Sequence, residues 1–328
     1  MKYKNLGNSG LKVSELCFGT LTFGGTQEHK ELGALDQKEA NRLVDMAIDG
    51  GINFFDTADV YSHGLAEEML GRALKGKRNE VIITSKVFGK MGDGPNQKGL
   101  SRYHVINACE ASLKRLKTDH IDLYLIHNYD SNTPMEETLR TMNDLVRQGK
   151  VRYIGASNLS GWQLTRFLWL SEKYNLEKFI VIQSLYTLVN RHIEFEVLPA
   201  ARNLGIGVTT WGSLGGGFLT GKYRKDKPAP EDARRVKKDE PVPQFDEEWG
   251  YRILDELEKI ARNHNATIAQ TAINYLLRKP GVSSVIFGAT KPQQMKDNLG
   301  ATQWKMAPEE VEKLDEISRP VKIYPYSM

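Results

Sequence analysis

The sequence is poor in cysteine, has no long apolar run and carries no large excess of charge of either sign. Its two cysteines, Cys17 and Cys109, show neither metal-ligand spacing nor a disulfide framework, so we expect two small core residues in a reducing, cytoplasmic compartment. No run approaches the roughly eighteen apolar residues of a membrane helix, and residues 1–10 contain no apolar signal core. The 45 basic and 41 acidic side chains leave a net charge of +4, too even to indicate a nucleic-acid partner. We therefore expect no membrane and no nucleic acid among its partners.

Several motifs for nucleotides and metals are also missing. The seven histidines form no ligand cluster, so we expect no metal site. Residues 19–24 depart from the G-x-G-x-x-G fingerprint of a Rossmann fold. Residues 216–222 imitate the G-x-x-x-x-G-K of a P-loop, but Tyr223 stands where a Ser or Thr would meet magnesium. These observations argue against a metal-dependent hydrolase, an open dinucleotide-binding sheet and an ATPase.

Short apolar strands alternate with amphipathic helices along most of the 328 residues. Strands are predicted at 16–18, 53–56, 81–85, 121–126, 151–155, 179–183, 207–211 and 283–287. Helices are predicted after Asp36, at 65–75, 101–117 and 134–148, after Ser160, at 194–204, after Thr267 and Pro292, and at 308–318. Eight strand-and-helix units favour an α/β fold of the closed (β/α)8 TIM barrel type over an open sheet.

Three segments are predicted as additions to the barrel. Residues 3–13 predict an N-terminal β-hairpin that plugs one end, and the helix at 308–318 follows the eighth unit. Residues 225–248, rich in Lys, Asp, Glu and Pro, predict a long mobile loop after the seventh strand, either an active-site lid or a solvated connection. We interpret residues 1–328 as a single domain.

Four polar side chains fall at or just beyond the ends of three successive predicted strands. Asp56 ends the second strand and Tyr61 lies in the loop after it, while Lys86 and His127 follow the third and fourth strands. Taken singly, each has a structural explanation as a capping carboxylate, a rim aromatic, a rim charge or a core histidine. Because barrel geometry brings strand ends to one rim, their convergence favours a catalytic site.

The chemistry that such a set supports is reduction of a carbonyl group, which needs a proton donor for the developing alkoxide. Tyr61 is our candidate donor, and we expect the Lys86 ammonium to lower the pKa of this phenol. Asp56 would hold Lys86 charged and in place. His127 would donate a hydrogen bond to the carbonyl oxygen as its charge grows in the transition state.

These positions and the motifs around them resemble the aldo-keto reductase superfamily, in particular bacterial members related to potassium-channel β-subunits. The matching stretches follow in order along essentially the whole chain: Gly19-Thr20, Phe55-Asp-Thr-Ala58, Glu68-x-Leu70-Gly71, Thr84-Ser-Lys86, Asp122-Leu-Tyr-Leu-Ile-His127, Gly155-Ala-Ser-Asn158, Gln183 and Leu219-Thr-Gly-Lys-Tyr223. The resemblance implies that Asp56, Tyr61, Lys86 and His127 form the family's catalytic tetrad.

The resemblance also implies a nicotinamide dinucleotide site. Ser157, Asn158 and Gln183 match residues that hydrogen-bond the nicotinamide carboxamide, and Trp211 matches an aromatic ring that stacks on the nicotinamide. The implied cofactor residues are Gly19, Thr20, Asp56, Ser157, Asn158, Gln183, Trp211, Gly212, Ser213, Leu214, Gly215, Gly217, Lys222, Gly288, Thr290, Lys291, Gln294 and Asn298.

The phosphate groups of this cofactor fit the residues that match its binding loops. Glycines in 212–217 let backbone N–H groups approach phosphate oxygens, and Lys222 adds positive charge. A helix starting at Pro292 favours an anion at its N-terminus, and Lys291 is our candidate for the 2′-phosphate of NADPH. Gln294 stands where some members of the family have arginine, which thins the case for NADPH over NADH without removing it.

We therefore predict an NADPH-dependent reductase of aldehydes or ketones in which hydride comes from nicotinamide C4 and the proton from Tyr61. The alternative is a cofactor-bound regulatory or sensor subunit with slow turnover, as in the channel-associated relatives. Gly212-Ser213 in place of Ser-Pro, and Asn128-Tyr129 after the histidine, depart from the family. Candidate specificity residues are Phe23, Asn128, Tyr129, the loop 225–248 and the tail from Tyr324 to Tyr326. The small-molecule substrate stays open, as does the oligomeric state, a homo-oligomer included.

Overall fold

Eight parallel strands close into a barrel in the computed structural model, which describes residues 1–24, 35–225, 228, 244–322 and 324–326. The barrel strands are β3 (Leu16–Gly19), β4 (Phe54–Asp56), β5 (Ile82–Val87), β6 (Ile121–Ile126), β7 (Val151–Ser157), β8 (Phe179–Leu185), β9 (Gly207–Trp211) and β10 (Val282–Phe287). They pair in this order, and β10 pairs with both β9 and β3, which closes the sheet. The predicted (β/α)8 TIM barrel is confirmed.

The predicted N-terminal hairpin is present and lies across the floor of the barrel. Strands β1 (Tyr3–Asn5) and β2 (Lys12–Ser14) pair antiparallel. The fully buried Leu6 and Val13 join the apolar cluster that fills the barrel interior. Asn53, just before β4, ties the hairpin to the barrel because its Oδ1 accepts the Ser14 N–H at 2.7 Å and its Nδ2 donates to the Lys12 carbonyl at 3.1 Å.

Ten α-helices lie within the described part of the chain. They are α1 (Gln37–Asp49), α2 (Leu65–Ala73), α3 (Arg102–Leu116), α4 (Met135–Arg147), α5 (Gly161–Lys173), α6 (Val197–Asn203), α7 (Glu247–Asn263), α8 (Ile268–Arg278), α9 (Pro292–Gly300) and α10 (Pro308–Ile317). The predicted caps are formed, since Asp36 accepts the Glu39 N–H at 2.8 Å and Thr267 accepts the Gln270 N–H at 3.1 Å.

Helix α7 was not predicted, and it shortens the expected loop 225–248. Asp246 caps it by accepting the Trp249 N–H at 2.7 Å, and the helix buries Ile253, Leu254 and Leu257 at helical spacing. Residues 247 and 248 therefore belong to this helix. Most of the expected loop, 226–227 and 229–243, lies outside the described residues.

The predicted site lies at the end of the barrel opposite the hairpin, where the carboxyl ends of the strands meet. A large apolar core fills the layer between strands and helices, and a smaller one fills the barrel below this rim. Within the described ranges, no helix has the length and apolar character needed to cross a membrane. Across the same ranges, no group of three or more His, Cys, Asp or Glu side chains could hold a metal ion.

Candidate active site

Lys86 lies at the centre of the predicted site, fully buried in the upper end of the barrel. Its Nζ donates to Asp56 Oδ2 at 2.6 Å, to the Thr57 carbonyl at 2.8 Å and to the Tyr61 hydroxyl at 3.2 Å. These three acceptors match the three N–H groups of an ammonium. The positive charge is therefore held in one place beside the Tyr61 oxygen.

Asp56, at the end of β4, uses both carboxylate oxygens inside the site. Oδ2 meets Lys86, and Oδ1 accepts a hydrogen bond from Gln183 Nε2 at 2.7 Å across the barrel. The Asp56 carbonyl accepts from the backbone N–H of Thr20 at 2.8 Å and from its hydroxyl at 3.1 Å. Gln183 and Thr20, implied by the resemblance as cofactor residues, thus also hold Asp56.

Tyr61 begins a short 3-10 turn with an unusual backbone. Ser62 and His63 have φ of 48° and 52°, left-handed values that cost a residue with a side chain about 1–2 kcal/mol each. The Ser62 hydroxyl donates to the carbonyls of Phe23, at 2.9 Å, and Gly24. A turn held in this way fixes the direction in which Tyr61 leaves the backbone.

His127 follows β6 and places its half-buried ring beside Tyr61. The two ring centroids are 5.9 Å apart at an interplanar angle of 75°. Burial lowers the pKa of His127 to about 3, and the charge on Lys86 adds to this effect. The imidazole is therefore neutral at neutral pH and carries one N–H that can donate.

The pKa of Tyr61 differs from the expectation. Burial raises it above its ordinary value, and the Lys86 ammonium opposes this rise without cancelling it. Burial also disfavours the charged form of Lys86, but Asp56 and Tyr61 outweigh it and hold the pKa of Lys86 above its usual value. At neutral pH the pair is thus an ammonium next to a protonated phenol.

The residues expected around the nicotinamide lie next to the tetrad and bond to one another. The Ser157 hydroxyl donates to the Gln183 carbonyl at 3.0 Å. The Asn158 side chain donates to the His127 carbonyl at 3.0 Å and accepts from Trp211 Nε1 at 2.9 Å. These contacts fix the indole of Trp211, the last residue of β9, at the rim of the site.

The expected phosphate loop follows β9 directly. Gly212, Gly215, Gly216 and Gly217 all have φ between +58° and +89°. A side-chain carbon at Gly217 would meet Lys222 Cε at 3.1 Å, so bare backbone and a lysine face the same space. The Leu214 carbonyl accepts the Gly217 N–H at 3.0 Å, and the buried Ser213 hydroxyl donates to β10 at 2.8 Å. Ser213 therefore anchors the loop through its side chain.

The residues expected at the adenosine end gather at the start of α9. Gln294 Oε1 accepts the backbone N–H groups of Thr290 and Lys291, at 2.7 and 3.2 Å. Lys291 precedes the first residue of the helix and is exposed. Asn298 is buried, and its side chain lies 3.5 Å from the Gly288 carbonyl. Gln294 thus satisfies backbone donors here, while Lys291 supplies the positive charge.

These features fit a nicotinamide dinucleotide that crosses the rim. Tyr61 and His127 lie side by side at the rim, the glycine loop with Lys222 follows Trp211 at the end of β9, and Lys291 lies at the N-terminus of α9. Backbone N–H groups, lysines and helix N-termini are the donors that bind phosphate.

Two of the expected specificity positions differ in their surroundings. Phe23 is fully buried and packs edge-on against Phe18, with centroids 5.8 Å apart, so its ring is not exposed at the rim. Tyr129 lies at the rim, where its ring contacts the exposed Trp162 at a centroid distance of 5.9 Å. Trp162 was not predicted as a site residue, because the second residue of a helix such as α5 is expected to lie on the protein surface.

In the tail, Tyr326 stacks on Phe195 with centroids 5.4 Å apart and an interplanar angle of 8°. Tyr324 is exposed. Stacking on Phe195 ties this part of the tail to the segment that follows β8. Asn128 is half-buried beside His127.

Comparison with known proteins finds one family profile and several similar chains. The profile of the Aldo/keto reductase family matches residues 15–319. The chain is 40% identical to a protein of Arabidopsis thaliana named probable voltage-gated potassium channel subunit beta, over 92% of this chain and 91% of that one. It is 37% identical to the uncharacterised oxidoreductase YrpG of Bacillus subtilis, over 97% and 96%. It is also 35% identical to a protein of Schizosaccharomyces pombe provisionally named an aryl-alcohol dehydrogenase, over 98% and 97%.

Proposed function

We propose that this chain, which belongs to the aldo/keto reductase family of NAD(P)H-dependent oxidoreductases, catalyses the reversible reduction of an aldehyde or ketone with NADPH. One observation carries the proposal: Lys86 Nζ lies 3.2 Å from the Tyr61 hydroxyl and 2.6 Å from Asp56 Oδ2. When bound, the reduced nicotinamide supplies the hydride. The chain must then supply a proton and hold the carbonyl.

In this proposal Tyr61 donates the proton to the carbonyl oxygen as negative charge develops there. Lys86 stabilises the phenolate that remains, because an ammonium 3.2 Å away in a buried site interacts strongly with it. Asp56 keeps Lys86 charged during this transfer. The raised pKa of Tyr61 keeps the proton on the phenol until a stronger base, the developing alkoxide, is present.

His127 donates its single N–H to the carbonyl oxygen in the same proposal. A neutral imidazole suits this role because it does not compete with Lys86 for the negative charge. Trp211 and Asn158, joined at 2.9 Å, form a rigid wall against which the nicotinamide ring is held. Rigid donors that need no rearrangement lower the barrier most effectively.

NADPH is proposed as the cofactor because of the positive charge along the phosphate end. Lys222 lies against the glycine loop, and Lys291 lies at the start of α9, where the 2′-phosphate of NADPH would be its partner. The substrate is proposed to be a small carbonyl compound. The aryl-alcohol dehydrogenase name of one relative, together with Tyr129 and Trp162 at the rim, favours aromatic aldehydes in the first screen.

Changing Tyr61 to Phe tests the proton donor. We expect turnover with a panel of aldehydes to fall by about 10²- to 10⁴-fold, since a general acid contributes an effect of this size. NADPH binding, followed by fluorescence titration, should change less than twofold. The control is Tyr103→Phe, an exposed tyrosine on α3. A near-normal rate in Tyr61→Phe would remove the assigned donor.

Changing Lys291 to Ala tests the cofactor. Loss of one charge-assisted phosphate contact should weaken NADPH binding by about tenfold or more and leave NADH binding within about twofold. Lys296→Ala, an exposed lysine on the same helix, is the matched control. Equal weakening of both nucleotides in Lys291→Ala would reject the phosphate role.

The regulatory alternative follows from the relative named as a potassium channel subunit. A sensor of this kind would bind NADPH and oxidise it slowly with every carbonyl. Steady-state NADPH oxidation with aliphatic, aromatic and ketone substrates separates the two functions. Turnover above about 1 s⁻¹, near the low end of ordinary enzymes, favours the reductase, and rates far below it with every substrate favour the sensor.

A further inference from the structure

Asp59, two residues before Tyr61, is completely buried, and neither of its carboxyl oxygens has a hydrogen-bond partner. Its backbone N–H donates to the Lys86 carbonyl at 3.2 Å, which ties it to the strand that carries the central lysine. Buried carboxylates are almost always bonded to donors, because an unpaired buried charge is very costly. A carboxyl group in this position therefore needs an explanation.

The nearest buried carboxyl group, that of Glu67 on α2, takes the donors that Asp59 lacks. Glu67 Oε1 accepts from the Ser85 hydroxyl at 2.5 Å, and Oε2 accepts from Arg115 Nε at 2.6 Å. Lys86 is the other cation near Asp59, but its three N–H groups meet Asp56, Thr57 and Tyr61, as described above. We call Asp59, Glu67 and Arg115 the carboxyl cluster. It holds two carboxyl groups for one guanidinium.

The carboxyl cluster is packed directly against the turn that carries Tyr61. A side-chain carbon at Gly64, which ends this turn with φ of +91°, would meet Arg115 Cδ at 2.5 Å. The titratable or charged groups that surround Asp59 and Glu67 come from five segments: Tyr61 on the turn, Glu67 on α2, Lys86 on β5, Arg115 and Cys109 on α3, and Tyr124 on β6. A negative charge on Asp59 therefore acts electrostatically on Tyr61, whose pKa it raises.

Burial, reinforced by the negative charge of Glu67, raises the pKa of Asp59 to about 8, while the backbone N–H of Val60 and the charges of Arg115 and Lys86 oppose the rise. The pKa of Tyr61 lies above 10, its ordinary value, so a transition near pH 8 is distinct from loss of the phenol proton.

We propose that Asp59 is a positioning residue for Tyr61, whose carboxyl group stays protonated in the working enzyme and whose ionisation displaces the Tyr61 turn. The proton goes to solvent, and a second negative charge is then left beside Glu67 with no side-chain donor bonded to it and only the backbone N–H of Val60 to oppose it. In this proposal the new charge acts on the adjoining turn, where the Ser62 hydrogen bonds hold Ser62 and His63 in left-handed conformations that cost free energy. The effect on turnover rests on the proposed role of Tyr61, whereas the protonation of Asp59 does not.

Changing Asp59 to Asn tests the proposal, because an amide copies the shape of a protonated carboxyl group and cannot ionise. In the wild type we expect kcat to fall by up to tenfold between pH 7 and pH 9. Asp59→Asn should keep kcat at pH 7 within about threefold and lose this fall. Asp93→Asn, an exposed aspartate, is the control and should keep the wild-type profile. Loss of activity at pH 7 in Asp59→Asn, or an unchanged alkaline fall, would overturn the proposal.

A second measurement separates this proposal from the proposed function. Melting temperatures of the cofactor-free protein are compared at pH 5 to 8. A protonated Asp59 binds a proton in the folded state that the unfolded state releases, so wild-type stability should fall with rising pH relative to Asp59→Asn. Glu67→Gln should reduce the same fall, because it removes the neighbouring charge. A constant difference between wild type and Asp59→Asn overturns the proposal, whether or not any carbonyl is reduced.

Discussion

Two groups of charged side chains, one beside the Tyr61 turn and one around the buried Arg191, balance their charges in opposite ways. The carboxyl cluster beside the Tyr61 turn has an excess of acid, and Asp59 within it is unpaired. The second group, which we call the paired cluster, consists of Arg191, Glu194, Lys279 and Asp315. Two cations there meet two carboxylates.

Every member of the paired cluster has a partner. Arg191 donates to both oxygens of Glu194 at 2.8 Å and to the Asp315 carbonyl at 2.8 Å, and Lys279 meets Asp315 Oδ1 at 2.6 Å. These bonds join the segment after β8, the end of α8 and helix α10. The paired cluster therefore joins these three parts of the chain to one another.

The difference between the clusters separates charges that stabilise the fold from a charge that is placed next to the proposed site. Matched and hydrogen-bonded charges are tolerated in a protein interior because each compensates the other's lost hydration. An unmatched carboxyl group is retained only where its cost has a use, and such groups concentrate at functional sites. The position of Asp59 next to Tyr61 follows this pattern.

The largest effect should come from breaking the paired cluster. Changing Arg191 to Met leaves Glu194 and Asp315 short of a partner, and we expect the free energy of unfolding to fall by about 2–3 kcal/mol, less than for a fully buried pair because both carboxyl groups are partly exposed. Turnover per folded molecule should stay within about twofold. Urea denaturation and steady-state kinetics measure the two quantities. Arg72→Met, which removes an exposed pair with Glu68, should cost less than about 1 kcal/mol.

The second test uses pH, since the two clusters should respond with opposite sign. Burial disfavours the charged forms of Glu194 and Asp315, but Arg191 and Lys279 outweigh it and hold both pKa values below normal. Their stabilisation is present above pH ~4, the unfolded pKa, and is lost as pH falls below it. Asp59 has a pKa raised to about 8, so its contribution to stability declines as the pH rises from ~4, the unfolded pKa, to about 8.

Substitutions assign each part of this stability curve to one cluster. Glu194→Gln should reduce the loss of stability below pH ~4 and leave the decline in stability above pH ~5 unchanged. Asp59→Asn should remove that decline and leave the loss at acid pH unchanged. Denaturant unfolding from pH 3 to 8 gives the curves. If both variants change the same part of the curve, the comparison between the clusters fails.

The smallest effect concerns helix α3, which carries Arg115. Lys117 ends this helix with φ of +54°, so glycine there should stabilise the protein by about 0.5–1 kcal/mol. Glycine in place of the exposed Lys114, one turn earlier in the helix, should instead destabilise by about 1 kcal/mol. Thermal unfolding of the two variants compares the same chemical change in two backbone conformations. Equal effects of the two substitutions would show that the backbone conformation of Lys117 is not what limits stability.

Much of the barrel could be predicted because its signals are local. Each strand is a short apolar run followed by turn residues, and the tetrad residues lie at strand ends, which topology brings to one rim. Helix α7 had a signal as well, in Asp246 with Trp249 and in the spacing of Ile253 and Leu257. The charged residues before this helix led to a predicted loop that extended to residue 248, past the start of α7 at Glu247.

Other features of the site could not be predicted because they depend on which side chain reaches which partner. The sequence shows two carboxyl groups at Asp59 and Glu67, but not that Arg115 bonds only one of them. The burial of Phe23 and the net rise in the pKa of Tyr61 likewise arise from packing around the rim. Motifs in the sequence can predict which charged residues are neighbours. How much hydration each group loses can be seen only in the folded structure.

The hairpin at the floor of the barrel has a consequence for the chemistry at the other mouth. Leu6 and Val13 close the floor of the apolar cluster that fills the barrel below Asp56 and Lys86. The pull of the ammonium on the phenol weakens wherever water can screen it. Apolar packing at the hairpin end therefore favours a strong interaction between Lys86 and Tyr61 at the opposite end.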